Sequence, residues 1–281
     1  MVRYVMTIDV TRCNGCFNCQ LACKDEYVEN EWPPYSAAQP DTGQLWMHVY
    51  VRERGQFPRV KVSYRPTPCM HCDEAPCIRA SNGNALYKRD DGTVIIDPVK
   101  AFGQNQVVRA CPYNVVFWNE SRNLPQKCTF CIHLLEKGWK EPRCVESCPT
   151  LALQFGDADD PNSEVSKIIA SGKAQPLHPE YNTKPKVYYI GIPKTFIAGS
   201  IIYGDTDECA EGAKITLTNT ENQQTKTTTS NNYGDFEFED LENGKPYTIK
   251  IEHPAYKTHT ANINLKTDTY IGDITLTKTT N

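Results

Sequence analysis

The sequence predicts an α+β chain in two parts: short helices and strand pairs threaded between cysteine runs, then an all-β sandwich. Two observations carry this reading. Of thirteen cysteines in 281 residues, twelve lie between Cys13 and Cys148, and only Cys209 falls later. From about Phe196 onward, apolar and polar residues alternate in short Thr-rich stretches separated by turn residues, which is the pattern of half-buried strands. The length leaves room for two domains, each with a core of its own. The expected boundaries are 1–155 for the cysteine-rich domain, 156–195 for a linker wrapping it, and 196–281 for the sandwich.

A formal charge of −4 gives no basic field for a phosphate backbone or an anionic membrane surface, so neither is expected as a partner. No uninterrupted apolar stretch approaches the roughly 18 residues that span a bilayer. Met1 to Val10 alternates like a strand and has no basic start, apolar stretch or cleavage site of a secretory signal, so it reads as mature protein. Thirteen cysteines in a chain of this kind, arranged in CxxC runs, point to thiolate ligation rather than a disulfide scaffold. Loading metal on so many free thiols needs a reducing compartment, so the cytoplasm is expected, with export together with another chain as the alternative.

The individual elements follow from local pattern. Leu45–Val51 and Val60–Tyr64 read as one hairpin. Ala85–Asp97 reads as another, turning at Asp91-Gly92. Between Asp157 and Pro193, an Asp-rich start leads to a short helix over Ser163–Ile169, capped by Asn162 or Ser163. A Pro-punctuated extended stretch through Val187-Tyr188-Tyr189 follows. Lys214–Thr218, Asp235–Phe238, Tyr247–Ile251 and Asp273–Leu276 are period-two strands. Together they suggest an immunoglobulin-like or transthyretin-like sandwich.

Cys13-x2-Cys16-x2-Cys19-x3-Cys23 has the spacing of the bacterial ferredoxin run, in which three cysteines grip one cubane and the fourth crosses to another. Lys24 stands where a proline commonly follows. The reciprocal run is Cys128-x2-Cys131-x12-Cys144-x3-Cys148-Pro149, with its middle gap enlarged. The crossing rule assigns Cys13, Cys16, Cys19 and Cys148 to one [4Fe–4S] cluster and Cys128, Cys131, Cys144 and Cys23 to a second. Cys69, Cys72, Cys77 and the lone Cys111 make a third set of four, so three tandem ferredoxin-like clusters account for twelve cysteines.

The order of these runs resembles the small iron–sulfur subunits of the molybdopterin oxidoreductases of the dimethyl sulfoxide reductase type. The resemblance is carried by Pro68-Cys69-Met70-His71-Cys72, Ala75-Pro76-Cys77 and Ala110-Cys111-Pro112-Tyr113. It implies a fourth cubane in most members, with cysteines where this chain has Ser81, Ala101, Gln104 and Val107. All four missing ligands belong to one cluster, which in the relatives ends the relay farthest from the pyranopterin and faces a membrane anchor. Three clusters with an added β-domain are similar to the transhydroxylase branch of that family. The resemblance further implies a large partner subunit that carries a molybdenum or tungsten pyranopterin and acts on a polyhydroxylated aromatic. A respiratory reductase or dehydrogenase relay subunit is the alternative.

Other residues admit plainer readings. A zinc-stabilised interaction module is the rival to the clusters, but the ferredoxin spacing and the Cys-Pro endings at Cys111 and Cys148 favour iron–sulfur. His71 and His133, beside ligand positions, are expected to be ordinary packed or solvated residues rather than donors to sulfur. Cys209 is expected to be a buried or inert thiol, and Asp157–Asp160 solvated linker rather than a cation site. Trp32, Trp46, Trp118 and Trp139 suit either core or interface. No nucleophile–base pair, open metal position or phosphate-binding glycine loop is visible, so the catalytic chemistry is expected in the partner.

Overall fold

The computed structural model describes residues 2–279 and resolves into two compact units. The first is built from the chain up to Val51 and from Ser63 to Ile192; the second from Arg52–Val62 and from Pro193 onward.

In the first unit the regular elements are short, because Pro, Gly and cysteine loops interrupt them. The strands are β1 (Tyr4–Asp9), β2 (His48–Gln56) and β3 (Arg59–Thr67), both of which run on into the second unit, β4 (Leu86–Lys88), β5 (Val94–Ile96), β6 (Phe117–Asn119), β7 (Leu124–Gln126), β8 (Leu153–Asp157), β9 (Gln175–Pro176) and β10 (Val187–Ile190). The helices are α1 (Asn18–Tyr27), α2 (Pro76–Ala80), α3 (Gln106–Arg109), α4 (Ile132–Leu135), α5 (Arg143–Glu146) and α6 (Glu164–Ala170).

β1 is buried from Val5 through Ile8, as befits an inner strand covered on both faces. It lies inside a four-stranded sheet of order β8-β1-β10-β9, antiparallel to β8 and parallel to β10. The expected hairpin about Asp91-Gly92 forms from β4 and β5, with Leu86 opposite Ile96. The expected helix forms as α6, where the Ser163 hydroxyl accepts from the Ser166 amide at 3.2 Å and satisfies one of the free N–H groups of its first turn.

The second unit is a sandwich of two sheets, β14-β11-β17 and β13-β12-β15-β16. Its strands are β11 (Thr195–Tyr203), β12 (Lys214–Asn219), β13 (Thr225–Thr229), β14 (Asp235–Leu241), β15 (Lys245–His253), β16 (Tyr256–Leu265) and β17 (Thr269–Leu276). The two-residue period in the sequence becomes one core, with Ile215, Leu217, Phe236, Phe238, Ile249 and Ile251 inside. The intervening threonines are left facing outward.

Three features add to the sequence reading. Residues 156–192, read in sequence as part of a 156–195 linker wrapping the first domain, belong to the first unit and give it a strand: β10 lies beside β1, with Met6 opposite Val187 and Ile8 opposite Tyr189. Val187 and Tyr189 are fully buried there, so burial and parallel pairing recruit the segment.

The hairpin of β2 and β3 runs longer than expected, and its tip belongs to the second unit. Charge explains the affiliation, since Arg54 pairs with Asp268 at 3.4 Å, Arg59 with Asp235, and Lys61 with Glu237 and Glu239. The Arg54 and Lys61 cations also lie 5.6 and 5.1 Å from the Phe196 ring centre, within cation–π range. Gly55 has φ +82°, and a Cβ there would stand 2.3 Å from the Arg59 carbonyl oxygen, so the turn requires glycine.

Cys209, expected to be a buried or inert thiol, is exposed. In its loop it is the next residue, Ala210, that faces the core.

Candidate metal centre

The fold brings the cysteine runs together through three local devices. First, β1 and β8 are antiparallel with Ile8 opposite Leu153, and the Asp9 amide donates to the Ala152 carbonyl at 2.8 Å. The residues just after β1 and just before β8, Cys13 and Cys148, therefore meet at one end of the sheet. Second, α1 carries Cys19 and Cys23 four residues apart, hence on one face, and packs on α5, which carries Cys144. Third, α2 packs on α3, setting Cys77 beside Cys111 at the end of α3.

Each thiol's electrostatic neighbours reveal the grouping. Burial raises the Cys19 thiol to about 12, and Cys13, Cys148 and Cys16 push it the same way. Burial also raises Cys13, with Cys148 and Cys16 acting on it. Burial drives Cys23, although it belongs to the first run, well above its ordinary range, reinforced by Cys128 and Cys131. Cys144 behaves likewise, with Cys131, Cys23 and Cys128 as its neighbours. In the third group burial lifts Cys72 to about 12 and Cys77 to about 11, with Cys69 and Cys111 acting on both.

The twelve thiols thus lie in three neighbourhoods: Cys13, Cys16, Cys19 and Cys148; Cys23, Cys128, Cys131 and Cys144; and Cys69, Cys72, Cys77 and Cys111. Contacts between groups also have an order. Cys19 acts on Cys23 and Cys144, and Cys69 acts on Cys128, so the second neighbourhood lies between the other two. Cys16 is the exposed member of the twelve, in the first neighbourhood.

The donor chemistry fits an iron–sulfur cluster. Four soft sulfur donors per neighbourhood suit iron, and the burial that raises the thiols of Cys19, Cys23, Cys72, Cys77, Cys128 and Cys144 is the cost that iron would offset on replacing the proton. Backbone amides already point at sulfur: His71 N–H donates to Cys69 Sγ at 3.5 Å and Phe130 N–H to Cys128 Sγ at 3.4 Å. The Arg143 backbone amide and the Tyr27 hydroxyl act likewise on Cys131, and the Thr183 hydroxyl on Cys72. Such donors stabilise negative sulfur and tune potential. A cubane so held supplies reversible one-electron transfer. Gly15, inside the first run, has φ +72°, and a Cβ there would lie 2.4 Å from the Tyr64 ring, so the loop admits glycine alone.

Residues 60–158 match the model of the 4Fe-4S dicluster domain, and residues 197–277 that of the carboxypeptidase regulatory-like domain. The chain is 42% identical to the pyrogallol hydroxytransferase small subunit of Pelobacter acidigallici, over 90% of this chain and 91% of that one. The chain belongs to the iron–sulfur subunits of the dimethyl sulfoxide reductase-type molybdoenzymes. This iron–sulfur subunit is also 38% identical to a dimethyl sulfoxide reductase iron-sulfur subunit of Halobacterium salinarum, over 68% of this chain and 79% of the relative. Its identity to a tetrathionate reductase subunit of Salmonella typhimurium is 36%, over 69% and 75% respectively. It is an electron-transfer subunit of a molybdoenzyme, and its relatives are small subunits that work with a catalytic partner.

The other candidate residues in this iron–sulfur subunit are placed as follows. His133 Nε2 pairs with Glu26 at 2.9 Å, and its ring stacks on Trp32 at 4.3 Å. His71 is fully buried, accepts from the Val94 amide at 3.0 Å and stacks on Phe130 at 3.8 Å. Asp157 accepts from the Arg3 and Asp159 amides, while Asp159 pairs with Arg3, so this acidic stretch caps its own turns. Trp46 is buried and Trp139 is 41% exposed. Among the described residues no three His, Cys, Asp or Glu side chains converge on a single-ion position.

At the four positions where the resemblance implied further cysteines, this chain has closed local structure. Ala101 and Val107 are buried in the core, the Gln104 side chain holds both the Asn82 amide and its carbonyl, and Ser81 Oγ donates to the Ile78 carbonyl. Sequence reasoning missed Tyr27, Thr183 and Lys127, whose proximity to sulfur depends on long-range packing.

Proposed function

We propose that the chain holds three [4Fe–4S] clusters: one on Cys13, Cys16, Cys19 and Cys148, one on Cys23, Cys128, Cys131 and Cys144, and one on Cys69, Cys72, Cys77 and Cys111. In this role it serves a large molybdenum or tungsten pyranopterin subunit that carries out hydroxyl transfer on a polyhydroxylated aromatic. The observation that carries the reading is the gathering of all twelve thiols into three sets of four. Their order makes a line, with the Cys16 set at the surface end toward the catalytic partner and the Cys69 set at the other. The relay stops there, because Ser81, Ala101, Gln104 and Val107 supply no thiolates for a further cubane.

Support for the substrate class comes from coverage. The match to the pyrogallol hydroxytransferase small subunit runs over 90% of the chain, an extent the first unit cannot supply without the second. The dimethyl sulfoxide reductase and tetrathionate reductase subunits match about two thirds of it. A complex of this kind needs no quinone-reactive or haem-bearing membrane partner, and assembly in the cytoplasm fits its many free thiols.

Purification from the native source tests the reading. We expect a complex in the soluble fraction with one large subunit containing molybdenum or tungsten, active in hydroxyl transfer between phenolic substrates. A stoichiometric integral-membrane subunit carrying haem would overturn it in favour of a respiratory role.

A further inference from the structure

Lys127 is a charged residue that the relay, as described so far, does not use. It directly precedes Cys128, is 2% exposed, and donates from Nζ to the carbonyls of Val94 and, at 3.1 Å, Cys128. Among the described residues no carboxylate pairs with it. The other deeply buried lysine, Lys186, has such a partner in Asp73 at 3.0 Å. A buried cation without a counter-charge is costly, so the position of Lys127 calls for negative charge within reach.

The surroundings say where that charge lies. The Lys127 cation acts on both Cys77 and Cys128, members of the third and second thiol sets. A continuous chain of contacts spans the same junction. Lys127 bonds the Val94 carbonyl, and the Val94 amide donates to His71 Nδ1 at 3.0 Å. His71 N–H donates to Cys69 Sγ, and the His71 ring stacks on Phe130, whose N–H donates to Cys128 Sγ. Because Nδ1 accepts, Nε2 carries the ring proton, and that buried atom has no protein partner. A second donor at the junction therefore awaits an acceptor.

We propose that Lys127 is the potential-setting residue shared by the Cys69/Cys72/Cys77/Cys111 and Cys23/Cys128/Cys131/Cys144 clusters. The inference rests on the three-cluster assignment above. One-electron reduction adds one negative charge to a cluster and takes up no proton, so a fixed cation in a low-dielectric interior favours the reduced form. Lys127 raises the potentials of these two clusters and leaves that of the Cys13 cluster unchanged.

The test is an EPR-monitored redox titration, with iron content, of the complete complex carrying Lys127→Met, Lys127→Gln or Lys127→Arg. With iron retained, two of three midpoints should fall in the Met and Gln variants. Each should change the oxidised-to-reduced ratio at fixed potential by tenfold or more, about 59 mV per tenfold for one electron. The third midpoint should hold, and the Arg variant should keep all three near wild type. Loss of iron in both neutral variants with retention in the Arg variant also supports a charge requirement. Unmoved midpoints in an iron-replete neutral variant, equal shifts of all three, or iron loss that includes the Arg variant would overturn the proposal. Fewer than three signals in the wild type would instead strike the cluster assignment.

Discussion

Truncation after Phe155 is expected to leave a chain that neither folds nor holds iron, whereas truncation after Ile192 keeps the full iron complement. The difference lies in 156–192, which reads in sequence as a connector and in the structure completes the sheet. Val165, Leu177, Val187 and Tyr189 are all nearly or fully buried. At about 1.5–3 kcal/mol per buried apolar side chain, the four contribute roughly 6–12 kcal/mol. That is comparable to the whole margin of about 5–15 kcal/mol by which domains are stable.

The same segment reaches the thiols. The amides of Asp73 and Glu74 donate to the carbonyls of Lys184 and Thr183, and the Tyr113 and Thr183 hydroxyls bond at 2.7 Å. Circular dichroism and iron analysis of the two fragments decide the matter. A folded, iron-replete 1–155 fragment, or an iron-free 1–192 fragment, would contradict this description.

The second large effect concerns Cys23. It lies in the first cysteine run, yet its sulfur neighbours are Cys128 and Cys131 from the last. We therefore expect Cys23→Ser and Cys144→Ser to abolish the same EPR signal and remove about four irons each, one cubane's worth. Cys13→Ser and Cys148→Ser should abolish a different signal in common. If Cys23→Ser extinguished the Cys13 signal, the crossing of the two runs would be wrong.

Much of this architecture was legible in the chain. The ferredoxin spacing of Cys13 to Cys23 suggested, through the crossing rule of such runs, that Cys23 belongs with the last run, and in the structure Cys128 and Cys131 act on Cys23. The Thr-rich alternation of Lys214–Thr218 and Tyr247–Ile251 gave the sandwich, because a period of two admits one buried face. Less was legible where partners are distant in sequence. Nothing local in Val187-Tyr188-Tyr189-Ile190 says that it pairs in parallel with β1. Nothing in Arg54, Arg59 and Lys61 says that their carboxylates lie near residues 235–268. Lys127 looks in sequence like any surface lysine beside a cysteine, but it is buried and bonded to the Val94 carbonyl of β5, 33 residues away. For Cys209 the sequence left burial and inertness open as alternatives, and its loop turns it outward.

The central claim is that twelve cysteines hold three cubanes, and the iron-to-chain ratio of the anaerobically purified complex, corrected for iron in the partner, tests it most directly. The expected value is about twelve, three clusters of four. A value near sixteen would mean that a fourth cubane finds ligands despite Ser81, Ala101, Gln104 and Val107. A value near eight would mean that one of the three thiol sets holds no cluster, and either result would contradict the account.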